Sequence, residues 1–291
     1  MPPMAPLRFK QVDVFTRAPF RGNPVAVVLD GNGLTAEAMQ RIAGWTNLSE
    51  TTFVLPPTSG AADYRLRIFT PRAELPFAGH PTIGSAHAVL ETGIMKPKNG
   101  RLRQECGAGV LELSVEPDGR LWVRAPQSNV APLDAALLPA LERALGAKPV
   151  SQPLVVSVGP VWIVADLGSA DTVGALLPDM EAIAKLSGAA AATGVTVFGA
   201  SSDGRSALHV RSFAPAHGVP EDPVCGSGNI SVAAYVSRAG LTKRYGAQYV
   251  SRQGMQLGRD GEVSMRIADA GRAIDLGGYA VTCVEGTLRV E

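Results

Sequence analysis

An internal repeat constrains the fold of this 291-residue chain more than any other feature of its sequence. Residues 67–93 read RIFTPRAELPFAGHPTIGSAHAVLETG, and residues 211–240 read RSFAPAHGVPEDPVCGSGNISVAAYVSRAG. Both segments begin R-x-F-[T/A]-P and then reach a glycine that opens a helical pattern. A looser similarity relates residues 22–30 to residues 159–167. Two copies of one unit predict two similar domains that face each other.

The helical pattern in each copy carries no charge. Residues 75–90 contain no Asp, Glu, Lys or Arg, and residues 223–237 contain none either. A helix without a charged face is buried on all sides, so we expect each one to be wrapped by an antiparallel sheet. The first N–H groups of a buried helix need partners, and they form a site suited to a carboxylate.

Short strand patterns separated by turn residues outnumber the helical patterns. Apart from the repeated helices, helical patterns cover residues 35–44, 133–145 and 171–185. Strands and helices do not alternate regularly, which indicates an α+β fold rather than a doubly wound parallel sheet. We place the N-terminal domain at residues 1–125, with the strand at 280–291 as a possible addition, and the C-terminal domain at 126–279.

Composition excludes several classes of partner. There are 27 basic and 26 acidic residues, a net charge of +1, which argues against nucleic acid as a partner. No uncharged run reaches the ~20 apolar residues of a membrane span. The first residues lack a signal-peptide pattern, and the three cysteines form no CxxC pair, so we expect a cytoplasmic protein.

Nucleotide and metal motifs are incomplete or missing. The string GSGNIS at 226–231 is one residue short of GxGxxG and is followed by no acid at the spacing that a ribose would need. The four histidines show no metal-ligand spacing with a carboxylate. We therefore predict neither a cofactor nor a metal.

Four polar residues at or near the predicted starts of helices or strands are candidates for catalysis or ligand binding, and each also has a purely structural interpretation. His80 and Cys225 lie at the starts of the two uncharged helices, where they could face a ligand or serve as a cap and a small filler. Asp222 precedes Pro223 and could hold a ligand group or cap the helix. Glu50 begins an apolar strand, where it could be a general acid or base, although a surface position is the simpler interpretation.

The segments VDVFTRAPFRGNPVAVV, NLSETTFV, RIFTPRAELPFAGHPTIGSAH and VRSFAPAHGVPEDPVCGSGN resemble the PhzF-like phenazine-biosynthesis family. They occur in the family's order over nearly the whole chain. The resemblance implies a fold similar to that of diaminopimelate epimerase: two pseudo-symmetric domains, each a curved, mostly antiparallel sheet around a central helix, with the active site between them.

The resemblance also implies a cofactor-independent isomerase that moves a proton on a small amino- or carboxyl-bearing substrate. Glu50 matches the family's acid/base residue, and His80 and Asp222 match residues that contact substrate and assist proton movement. The backbone around Gly79 and Gly226, with Ser227, matches the helix ends that hold a carboxylate. A homodimer is expected from the resemblance alone.

Two alternatives remain open. Related epimerases place a cysteine at each helix start, whereas this chain has Ala78 at the first and Cys225 at the second. This disfavours a symmetric two-thiol racemase but leaves a racemase or epimerase with Glu50 and Cys225 as opposed bases, with Cys225 also counted among the substrate-binding residues. The second alternative is a non-catalytic protein that binds small carboxylates.

Overall fold

The computed structural model describes residues 5–290. The chain divides into two compact units, Met1–Arg124 with Gly277–Glu291, and Ala125–Leu276. Unit 1 therefore consists of two chain segments, and unit 2 is one continuous segment. Between residues 5 and 290, the structure contains no helix long and apolar enough to cross a membrane.

The first unit contains a sheet and two longer helices. Its elements are β1 (Leu7–Val14), β2 (Asn23–Val28), α1 (Ala36–Thr46), β3 (Thr51–Leu55), β4 (Tyr64–Phe69), β5 (Glu74–Leu75), α2 (Gly79–Glu91), β6 (Arg101–Cys106), β7 (Gly109–Val115), β8 (Leu121–Arg124) and, at the far end of the chain, β18 (Ala280–Leu288).

The second unit repeats this order with additional short helices. Its elements are β9 (Asn129–Pro132), α3 (Leu138–Leu145), β10 (Leu154–Ser157), β11 (Val161–Ser169), α4 (Ala170–Ala175), α5 (Met180–Ala189), β12 (Gly194–Ala200), β13 (Leu208–Ala214), β14 (Val219–Asp222), α6 (Gly226–Arg238), α7 (Thr242–Tyr245), β15 (Gln248–Gln253), β16 (Gly261–Ala268) and β17 (Ala273–Gly278), whose last two residues belong to unit 1.

The two units use the same pairing scheme. In unit 1, β1 pairs antiparallel with β2, β2 parallel with β3, β3 antiparallel with β4, and β4 parallel with β6. In unit 2, β10, β11, β12, β13 and β15 pair in the same order and with the same directions. Most of the remaining pairs are antiparallel as well. The predicted α+β fold with mostly antiparallel sheets is confirmed.

Each repeated helix is buried and tied to its own sheet. Most of α2 is buried, and so is most of α6, as the uncharged sequences predict. In unit 1 the Gln104 amide donates to Thr82 Oγ1 of α2 at 3.1 Å. In unit 2 the Ser251 hydroxyl donates to Asn229 Oδ1 of α6. These bonds connect corresponding positions and hold each helix against its sheet.

The prediction of a single helix over residues 171–185 is wrong, because two helices occupy this stretch. Helix α4 ends at Ala175 and α5 begins at Met180. Pro178 disfavours a helical conformation at the preceding residue, Leu177, which is 93% exposed. Asp179 then caps α5 by accepting hydrogen bonds from the backbone N–H groups of residues 181 and 182.

A buried histidine in unit 2 makes stability depend on pH. His209 is 6% exposed, and burial lowers its pKa, with the nearby cations of Arg211 and Arg252 acting in the same direction. As the pH falls below about 6.5, His209 therefore binds a proton more readily in the unfolded chain than in the folded protein. The free energy of unfolding decreases over this range. We expect urea unfolding between pH 7 and 5 to show a smaller loss for His209→Gln than for the unmodified protein. Equal losses would contradict this assignment.

Candidate active site

Glu50 is placed by the connection between α1 and β3. Helix α1 ends because Asn47 adopts a left-handed conformation, φ 53°, which asparagine tolerates better than most residues. The Glu50 carbonyl accepts a hydrogen bond from the N–H of Ala26 on the parallel strand β2, at 3.3 Å. The Thr46 and Thr51 hydroxyls lie 2.6 Å apart across the connection. The backbone of Glu50 is therefore held at both sides.

The Glu50 side chain contacts His80, the second residue of α2. Glu50 Oε2 lies 3.0 Å from His80 Nδ1, with the two side chains 16% and 6% exposed. Their orientation does not meet hydrogen-bond geometry, so Glu50 Oε2 has no hydrogen-bond partner among the described residues, and neither has His80 Nε2. Buried polar atoms are nearly always satisfied, and a catalytic role is one explanation for an exception. Together, a carboxyl group and an imidazole can take up a proton and return it.

The start of α2 carries no side-chain cap. Ala78 precedes the helix in an extended conformation, and its methyl group cannot accept a hydrogen bond from the helix N–H groups. Gly79, the first helical residue, is half-buried. The positive end of the helix dipole and its N–H groups are therefore oriented to attract an anion.

The start of α6 is different because Cys225 caps it. Cys225 Sγ accepts a hydrogen bond from the Gly228 N–H at 3.2 Å, and the residue is 4% exposed. Burial raises the pKa of this thiol well above its usual value, and the negative charge of Asp222 acts in the same direction. A helix start favours a thiolate, but at Cys225 desolvation outweighs this effect, so the thiol is protonated at neutral pH.

Asp222 and Ser227 flank this cap. Asp222 Oδ1 accepts a hydrogen bond from the Val224 N–H at 3.0 Å, and its carbonyl accepts one from the Gln253 amide at 2.9 Å. Within residues 224–230 Ser227 is half-buried, whereas the other residues, including Gly226, are buried. The Ser227 hydroxyl accepts a hydrogen bond from the indole of Trp162 at 3.1 Å.

Sequence reasoning missed a repeated ion pair next to each helix start. Arg67 binds Glu74 through two hydrogen bonds of 2.7 and 2.6 Å, and Arg211 binds Glu221 through two of 2.8 Å. The signal was present in the repeat, because each arginine opens its copy and each glutamate stands five residues before the glycine that begins the helix. Each pair connects the two strands of a hairpin, β4 and β5 in unit 1 and β13 and β14 in unit 2.

The predicted site residues fall into one set per unit. Unit 1 brings Glu50 into contact with His80, which follows Gly79 directly. Unit 2 gathers the others at the start of α6, namely Asp222, Cys225, Gly226 and Ser227. In residues 5–290, no group of three or more His, Cys, Asp or Glu side chains is arranged to hold a metal ion.

Known proteins resemble this chain over most of its length. The family model for phenazine biosynthesis-like proteins matches residues 12–286. The protein called antisense-enhancing sequence 1 of Schizosaccharomyces pombe is 42% identical, with 96% of this chain and 97% of the relative covered. The trans-2,3-dihydro-3-hydroxyanthranilate isomerase of Pseudomonas aeruginosa is 37% identical, with 96% and 98% covered. The crystal structure of a PhzF-family protein of Bacillus anthracis has a TM-score of 0.86 at 28% identity, with 99% and 100% covered.

These similarities define the class of protein. The fold is that of the epimerase-like isomerases, and the chain is an isomerase. It belongs to the PhzC-PhzF family of phenazine biosynthesis-like proteins, as the motifs in its sequence predicted.

Proposed function

We propose that this protein moves a proton on a small carboxylate-bearing substrate without a cofactor, and that Glu50 is its acid/base. The observation that carries the proposal is the buried contact between Glu50 and His80, 3.0 Å apart, in which each side chain keeps an atom without a hydrogen-bond partner among the described residues. Glu50 removes the proton and returns it at another carbon, and His80 assists through the imidazole. Asp222 supports the same step by contacting the substrate.

The carboxylate of the substrate is assigned to the helix starts. The N-terminal end of α2 at Gly79 lacks a side-chain cap, which suits an anionic ligand. At α6 the corresponding groups are the backbone of Gly226 and the Ser227 hydroxyl. In this proposal the two units are the two domains of the enzyme. A cytoplasmic homodimer remains a prediction.

The first substrate to test is trans-2,3-dihydro-3-hydroxyanthranilate, on which a 37% identical relative is named to act. We expect the protein, incubated with this compound in D2O, to form an isomer that carries deuterium from the solvent, detected by NMR. The non-catalytic alternative predicts binding by calorimetry with no exchange. If this compound does not react, the same exchange measurement over a panel of small amino and hydroxy carboxylates tests the proton-transfer proposal itself.

A cysteine variant distinguishes the proposed mechanism from the racemase alternative, in which Cys225 is the second base. A base must lose its proton near neutral pH, and burial opposes this at Cys225. Serine can still accept the hydrogen bond from the Gly228 N–H, so we expect Cys225→Ser to keep its proton exchange rate within about fivefold. A loss of two orders of magnitude or more, with the thermal midpoint unchanged, would favour the racemase.

A further inference from the structure

The shared pairing scheme identifies which residues of the two units correspond. In unit 1 Phe53 pairs with Arg67, and in unit 2 Val197 pairs with Arg211, the arginines that open the two repeats. Phe53 therefore corresponds to Val197. Glu50 lies three residues before Phe53 and Gly194 lies three residues before Val197, so these two positions correspond as well.

The same argument extends to the neighbouring strand and to the helix. Ala26 pairs with Thr51 in unit 1, and Ile163 pairs with Val195 in unit 2. Ala26 therefore corresponds to Ile163, and the residues directly before them, Val25 and Trp162, also correspond. His80 and Ser227 correspond because each directly follows the glycine that begins its helix.

The position that holds the acid in unit 1 is closed to any side chain in unit 2. A Cβ atom at Gly194 would lie 2.1 Å from the Phe213 carbonyl oxygen and 2.9 Å from the Trp162 ring. Trp162 is itself 3% exposed. The indole thus packs against the position that corresponds to Glu50, and a second acid does not fit there.

The indole also restricts what the Ser227 hydroxyl can do. A hydroxyl group has one proton to donate and can accept through its lone pairs, whereas an indole N–H can only donate. Because Trp162 donates to Ser227 Oγ at 3.1 Å, it occupies a lone pair, and the serine proton must point elsewhere. Among the described residues, Ser227 Oγ also lies 3.6 Å from Cys225 Sγ, which is a weak acceptor. Ser227 is therefore prepared to donate to an oxygen of a ligand.

We propose that Trp162 is a positioning residue that orients the Ser227 hydroxyl as a donor to the carboxylate of the substrate. This inference rests on the proposed function and deepens it by giving the two units different tasks. Unit 1 carries the proton-transfer pair, Glu50 and His80. Unit 2, with an indole and a hydroxyl at the corresponding positions, holds the anion.

A double-mutant cycle tests whether Trp162 acts through Ser227. The probe is 3-hydroxyanthranilate, which keeps the carboxylate and the carbon skeleton of the test substrate with an aromatic ring and can be titrated by calorimetry. We expect Trp162→Phe, which removes the N–H donor and keeps an aromatic ring, to weaken binding about fivefold, and Ser227→Ala about tenfold. The double variant should bind no more weakly than Ser227→Ala alone, because the tryptophan then has no hydroxyl to orient.

Turnover provides a second readout that a purely structural role would not reproduce. Trp162→Phe should raise KM and change kcat less than twofold, since the proton-transfer pair is unaltered. Trp122→Phe is the matched control, because it also removes one N–H from a buried indole, and it should leave both parameters unchanged. Unchanged affinity in Trp162→Phe, or a double variant whose loss equals the product of the two single losses, would overturn the proposal.

An NMR measurement decides the case in which Trp162→Phe does not fold or the probe does not bind. The indole N–H resonance of Trp162 should shift when Ser227 is replaced by alanine, and a resonance that does not move would overturn the proposal. Failure of the unmodified protein to bind 3-hydroxyanthranilate would count against the proposed carboxylate substrate instead, so the two failures are distinguishable.

Discussion

Glu50→Gln is expected to lower the rate of proton exchange by 10²- to 10⁴-fold, the range that a positioned general acid or base contributes. Glutamine has nearly the same shape as glutamate, but its amide cannot take up and return a proton. The variant should fold normally, because the buried Glu50 Oε2 has no hydrogen-bond partner among the described residues to lose. The measurement is deuterium incorporation from D2O into the substrate, followed by NMR, together with a thermal unfolding scan of each protein.

Glu112→Gln is a suitable control for this experiment. Glu112 lies in the same unit on β7, is 49% exposed and pairs with Arg101 at the surface. The same chemical change there should leave exchange within about twofold of the unmodified rate. If Glu50→Gln exchanges as fast as Glu112→Gln, Glu50 is not the acid/base and the proposed mechanism is wrong.

Arg211→Ala is expected to destabilise the protein by about 3–5 kcal/mol, since it leaves a buried carboxylate without its partner. The side chains of Arg211 and Glu221 are 5% and 8% exposed, and the guanidinium also donates to the carbonyls of Val173 and Leu176. Urea unfolding monitored by circular dichroism measures the loss. Replacing both partners, Arg211→Met with Glu221→Leu, should recover part of it, because no unpaired charge then remains.

The repeat supplies the matched control for this variant. Arg67 and Glu74 form the corresponding pair in unit 1, with the same two hydrogen bonds, but their side chains are 19% and 41% exposed. Water can solvate Glu74 after Arg67→Ala, so the expected loss is about 1 kcal/mol or less. Equal losses in Arg211→Ala and Arg67→Ala would mean that burial does not determine the strength of these pairs.

Much of the fold could be predicted because it rests on periodic signals. The absence of charge from residues 75–90 and 223–237 predicted two buried helices, and both occur. The helical pattern over residues 35–44 predicted α1, which spans Ala36–Thr46. The break between α4 and α5 was missed, since the apolar residues around Leu176 continue the helical pattern while the proline that follows interrupts the backbone.

The candidate site was less accessible to sequence reasoning. Without the family resemblance, a surface position was the simpler interpretation of Glu50, because its partner His80 is 30 residues away in the sequence and the two meet only in the folded chain. Cys225 was interpreted from its place at a helix start, but its burial, which raises the pKa of the thiol, depends on the surrounding sheet. Trp162 was not singled out, although it stands where the first copy has Val25.

The pairing of β1 with β18 has a consequence for how the protein folds during translation. Leu7 pairs with Leu288, so β1 leaves the ribosome with one edge open and keeps it open while all of unit 2 is being synthesised. An unpaired strand edge is a template for pairing with other chains. Unit 2 is continuous and can complete its own sheet first, whereas nascent unit 1 must wait for its last strand and is the half that most needs protection from aggregation.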